Sequence, residues 1–207
     1  MRALLMFFVL SFFLPVCGLF GQSPPVIREM REALSSGDIS LVAHGNGSRA
    51  GFSVDGYLRN NTSSDIRVNI FISNGLYLRN SGAGQNMLAI QIYREEGRYT
   101  MSGSAKYIQL PPKENTPIML RAICADFERD SPSSEESFTM DSVPSDIQAI
   151  ASRISRYMAD HFDDDEDLDL PIQLALCRVQ GKTRSDIEMA FDFSDSDWDI
   201  ATEVMSY

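Results

Sequence analysis

From residue 39 to about residue 125, apolar side chains recur at every second position. Phe52, Val54 and Leu58 alternate with polar neighbours, as do Ile66, Val68, Ile70 and Ile72, and then Leu88, Ile90 and Ile92. This is the period of half-buried strands. Clusters of turn formers at residues 45–51, 60–65, 80–84, 95–97 and 111–117 separate these runs, at the spacing of an antiparallel sandwich. Residues 39–140 are therefore predicted to form an Ig-like antiparallel β-sandwich of about seven strands. The stretch 130–142, rich in Ser, Glu and Asp, reads as a loop closing it.

Beyond that loop the period lengthens to that of helices. Ser145 and Asp146, after Pro144, open a helix whose apolar residues Ile147, Ile150, Ala151, Ile154, Tyr157 and Met158 fall at spacings of three and four. An acidic run at 163–169 ends it. Pro171 suits the first turn of a second helix running to Gln180, and Gly181 its stop. Thr183 to Asp186 and Ser194 to Asp197 look like the starts of two short helices. Before the strands, Ser23-Pro24-Pro25 leads into a short amphipathic stretch from Val26 to Leu34, so residues 23–38 form a short helix or lead-in. Strands first and helices after predict an α+β fold, with residues 144–207 as a helical cover.

Residues 1–22 stand apart from this pattern. Arg2 precedes an apolar run from Ala3 to Val16, followed by the small residues Cys17, Gly18 and Gly21. A basic start, an apolar centre short for a bilayer span and a small-residue exit read as a secretory signal peptide. The expected address is secreted or extracytoplasmic, in the periplasm or at the surface of a bacterial cell. Leu14-Pro15-Val16-Cys17-Gly18 loosely resembles a bacterial lipoprotein cleavage box, which implies Cys17 as the lipidated residue. No second run of about 18 apolar residues follows, so no transmembrane span is expected after cleavage. Asn46, Asn60 and Asn61 begin glycosylation patterns that matter only in a eukaryotic host.

Charge narrows the partners. The chain of 207 residues carries 18 Lys and Arg against 29 Asp and Glu, a net charge of -11, which becomes about -12 once Arg2 leaves. Nucleic acid and anionic lipid are poor partners for such a surface. About 185 residues remain after the leader, enough for one domain with a real core. No cofactor is indicated, and the expected partner is a protein or a surface ligand.

Cys124 and Cys177 are the cysteines outside the leader. Period-two counting puts Cys124 on the same face as Ile118, Leu120 and Ala122, the expected core face. Cys177 lies on the predicted 170–180 helix, where Ile172, Ala175, Leu176 and Val179 form one apolar stripe and Leu170, Gln173, Leu174 and Cys177 another. A helix apolar on both sides is largely buried. In an oxidising compartment two such cysteines most often form a disulfide, and closing this loop would stabilise the fold by about 4 kcal/mol on the chain-entropy model. Two buried thiols are the alternative. Gln173 and Cys177 are four residues apart and share a helix face, so whatever brings Cys177 to Cys124 also brings Gln173 close to it.

Here the residues carry a resemblance. Ala122-Ile123-Cys124-Ala125-Asp126, followed by Ile172-Gln173-Leu174-Ala175-Leu176, is similar to the Cys and Gln segments of bacterial surface thioester domains. The resemblance implies that the Cys124 thiol and the Gln173 amide condense into an internal thioester, which then acylates an amine on a target surface. Cys177 stands where an aromatic residue is expected.

Other candidates have bland readings beside them. Asp163, Asp165 and Asp167 begin like a calcium loop, but Leu168 occupies the place of the required Gly, so a solvated acidic linker competes with weak calcium binding. The two histidines are His44, at a strand end, and His161, at a helix end. Without a nucleophile-elbow pattern, a small extracellular hydrolase has no anchor. Tyr57, Phe71, Tyr77 and Tyr93 form either an exposed binding face or cross-strand packing pairs. The expectation is an exported, noncatalytic binding or surface-associated protein, with the thioester adhesin and then the hydrolase as alternatives.

Overall fold

A computed structural model describes residues 26–48, 50–94, 100–102, 105–161 and 167–207. The leader, with Cys17, lies outside the described residues, as do Asp163 and Asp165. In chain order the elements are β1 (Ile27–Arg28), α1 (Met30–Ser35), β2 (Ile39–Gly45), β3 (Phe52–Asn60), β4 (Ile66–Asn69), β5 (Phe71–Asn80), β6 (Met87–Tyr93), β7 (Thr100–Ser102), β8 (Ala105–Leu110), β9 (Asn115–Cys124), β10 (Ser137–Asp141), α2 (Ser145–Asp160), α3 (Asp169–Val179), α4 (Arg184–Glu188) and α5 (Asp195–Ser206). The class is mixed α+β, with the strands before the helices.

The strands are arranged differently from the expected sandwich of about seven. Six of them close into an antiparallel barrel in the order β10-β2-β3-β9-β6-β5, and β1-β4-β8-β7 form a smaller sheet. Closure removes the edges that a sandwich would have to protect. It depends on β10, which lies inside the stretch read as loop. Phe138 pairs with Ala43 of β2 on one side and with Asn80 of β5 on the other. Phe138 is buried while Thr139 and Met140 are both exposed, so no period-two alternation marks the strand among the Ser and Glu around it. The lead-in also splits: Ile27 and Arg28 pair in parallel with β4 before α1 begins, and Gly37 at φ 76° follows the helix.

The core fills the barrel and continues outside it. Leu58, Leu78, Leu120 and Ile123 are fully buried. β6 is buried on both faces over residues 87–92, because α2 packs against β5 and β6 from outside. The α2 residues predicted to form its apolar face are all buried, and Ser155 Oγ donates to the Ile72 carbonyl at 2.8 Å. α4 and α5 start with capping boxes at Thr183 and Ser194, as the sequence predicts. None of the described helices is long and apolar enough to cross a membrane.

Candidate functional site at the end of β9

α3 is the helix that carries the candidate residues to β9. Asp169, Gln173 and Cys177 recur at intervals of four along it, so they form one row. At the first step Asp169 bonds Arg121 Nε of β9. At the second, Gln173 meets Cys124, three residues further along that strand. Cys124 N–H donates to Gln173 Oε1 at 2.7 Å, and Gln173 Nε2 donates to the Cys124 carbonyl at 3.2 Å. Nε2 also donates to Cys177 Sγ at 3.4 Å. Gln173 and Cys177 are 0% exposed and Cys124 is 3%. The amide is thus held in place and shielded from bulk solvent.

Local sequence explains both ends of the row. Asp167 Oδ1 accepts from the Asp169 N–H at 3.1 Å, satisfying a donor of the first turn. At the other end Lys182 N–H donates to the Cys177 carbonyl and Gly181 N–H to that of Arg178. Gly181 is at φ 81°, so the helix stops in a Schellman turn. Gln180 Nε2 then donates to the Ala125 carbonyl at 2.6 Å. Just past β9, Asp126 accepts from the N–H and side-chain amide of Asn86.

Burial sets the electrostatics. It pushes the Cys177 thiol up, against the contact with Gln173 and the nearby Lys182 ammonium. It also pushes the Asp169 carboxyl up, although Arg121 pulls the other way. Cys177 is therefore held as a neutral thiol touching the Gln173 nitrogen. A cleft of about 360 Å³ opens next to Cys124, lined by Ala125, Asp126, Phe127, Glu128, Gln180 and Lys182 among others.

The expected Cys124–Cys177 disulfide is not formed; both residues are buried thiols. The physical reason is register. α3 brings Gln173, one turn earlier than Cys177, to the end of β9, where its amide bonds the Cys124 backbone. Gln173 and Cys124 do come together, although shared-face counting tied that approach to a contact between Cys124 and Cys177. Arg121 and Asp169 were not singled out by sequence reasoning. The spacing of Asp169 to Gln173 and Cys177 was the available signal, hidden in an acidic run.

The remaining candidates fall elsewhere. Asp167 serves α3, and no group of three or more metal-ligating side chains occurs among the described residues. Phe71 and Tyr77 are buried, which removes them from an exposed face. Phe52 instead lies 37% exposed and packs edge-on against Tyr93 at 5.1 Å. His161 stacks on Tyr157 at 4.1 Å. His44 sits in register between Ser137 and Asp55 on neighbouring strands, an arrangement the sequence did not reveal. Ser137 Oγ is engaged with Ser81 Oγ at 3.0 Å, and His44 is exposed on the open barrel wall, without the enclosure a hydrolytic centre uses.

Comparison with protein-family models, with curated proteins and with solved structures finds no match to this chain.

Proposed function

We propose that this chain is an exported, surface-associated module in which Cys124 and Gln173 condense into an internal thioester that captures amines on a target surface. The observation that carries this reading is the seating of the Gln173 amide on Cys124, at 2.7 and 3.2 Å, by residues 49 positions apart in the chain. In the condensation Cys124 Sγ attacks Gln173 Cδ and ammonia leaves. A target amine then attacks the same carbon, and Cys124 departs as a thiol. The Cys124 N–H on Oε1 polarises the carbonyl and stabilises negative charge on that oxygen as the carbon becomes tetrahedral. Full burial of Gln173 keeps water from an acyl bond that would otherwise hydrolyse.

Intact mass of the purified protein tests this directly. A thioester lowers the mass by about 17 Da, and methylamine then raises it to about 14 Da above the starting chain. A full-mass protein that takes up no methylamine overturns the reading.

One observation favours a second reading, a noncatalytic binding or surface-associated module. The same three contacts satisfy the buried Gln173 amide, as a structural latch between helix and barrel requires. The exposed Phe52, packed on Tyr93, would then belong to the binding face.

A further inference from the structure

Resting on the thioester reading, we propose that Cys177 is a catalytic residue of bond formation, the acid that protonates the departing Gln173 nitrogen. Cys177 Sγ lies 3.4 Å from Nε2, the atom that leaves, and is fully buried. Four residues along one helix fix that distance, because both side chains stand on the same face. The contact needs no rearrangement before reaction.

An amide is a poor substrate for thiol attack because its nitrogen must gain a proton before it can leave. Water normally supplies one, and Gln173 is 0% exposed. In the ground state Nε2 donates to Cys177 Sγ. As the carbonyl carbon becomes tetrahedral, the nitrogen regains its lone pair and turns from donor to acceptor. The neighbouring S–H is then the group in contact with it. The Sγ–Cδ bond to Cys124 forms, the Cδ–Nε2 bond breaks, and the Cys177 proton goes to Nε2, which leaves as ammonia. The proton given up by Cys124 restores the Cys177 thiol, so the net change is loss of ammonia, with no oxidant or reductant.

The surroundings suit a thiol that must stay protonated. Burial raises its pKa, opposed by the Gln173 contact and the Lys182 ammonium on the turn after α3. β9, packed against the same row, contributes Cys124 and Arg121, which pairs with Asp169 of α3. Position 177 thus holds a proton donor where the thioester resemblance leads one to expect an aromatic residue.

Refolding the denatured chain at a series of pH values, with quenched intact-mass readings, times the loss of about 17 Da. Cys177→Ala is expected to slow that loss about 100-fold, the usual worth of one positioned acid, while folding to the same barrel by circular dichroism. The wild-type rate is expected to fall in the alkaline range as Cys177 loses its proton, a limb that Cys177→Ala lacks. Cys177→Ser keeps the volume with a much weaker acid and should stay slow. An alanine variant that matches the wild-type rate and profile overturns the role while leaving the thioester standing. Where neither variant folds, a wild-type rate that climbs throughout the alkaline range overturns it. A wild-type chain that never loses ammonia defeats the thioester reading itself, and this proposal with it.

Discussion

Asp169 meets Arg121 one helical turn before Gln173 meets Cys124, so α3 is pinned to β9 at two successive points. The Arg121 and Asp169 side chains are 15% and 26% exposed, which makes the pair more than a surface contact. Arg121→Ala leaves a largely buried carboxylate without its main partner. The expected cost is about 1–3 kcal/mol in urea unfolding. Equal midpoints for variant and wild type would mean that the pair does not hold the helix.

The same carboxylate gives a pH signature. Burial raises the Asp169 pKa above its ordinary 3.8, with Arg121 opposing and Asp167 adding to the rise. The folded protein therefore holds this proton more tightly than the unfolded chain does. Asp169 costs nothing below the unfolded value, and its cost grows as pH rises through the folded one. Relative to Asp169→Asn, the wild type should lose stability as pH increases from about 3.8 upward. A difference that stays flat with pH contradicts the assignment.

Particular residues show what the sequence made legible. The apolar spacing of Ile147 to Met158 predicted α2 and its buried face, and the Thr183 and Ser194 boxes predicted two helix starts, because these signals are local. Helix period put Gln173 on the face of Cys177, which set it near Cys124 only if Cys177 met Cys124; the direct pairing of Gln173 with Cys124 was what the resemblance implied. Barrel closure was not legible, since it turns on Phe138 pairing with both β2 and β5, and nothing local marks a two-sided partner. The expected disulfide is absent for a similar reason. Cysteine counting gives no register, and register is what brings Gln173 rather than Cys177 to β9.

Gly181 ends α3 at φ 81°, and a Cβ there would meet nothing within 4 Å. The penalty for Gly181→Ala is therefore conformational alone, about 1 kcal/mol. Thermal unfolding should show a small drop in Tm with no loss of the barrel signal. A much larger drop would mean that the turn makes contacts beyond its own backbone.

Glu136 ties β10 to the loop before β6. Its carboxylate accepts from the N–H groups of Gly84 and Ser133 and from the Asn80 side chain. These bonds, the Gly84 one foremost, hold its pKa below the ordinary 4.5. Here the sign is opposite to that of Asp169. The stabilisation is present above the unfolded value and is lost as pH falls through the folded one. Glu136→Gln should thus flatten part of the acid-side loss of stability, measured as the urea midpoint against pH. An unchanged acid slope would remove Glu136 from the account.

Gln173 and Cys124 differ in what each contributes to fold and to chemistry, and substitutions should separate the two. Gln173→Ala strips partners from the Cys124 N–H and carbonyl and leaves a cavity, at an expected cost of about 2–4 kcal/mol. Cys124→Ala keeps the backbone groups that hold the amide, so its cost should stay near about 1 kcal/mol. Both variants remove one half of the condensing pair, so both should retain full mass and take up no methylamine. Amine uptake by Cys124→Ala would place the reactive acyl group elsewhere. A Gln173→Ala protein as stable as the wild type would mean that the buried amide is not the latch between α3 and the barrel.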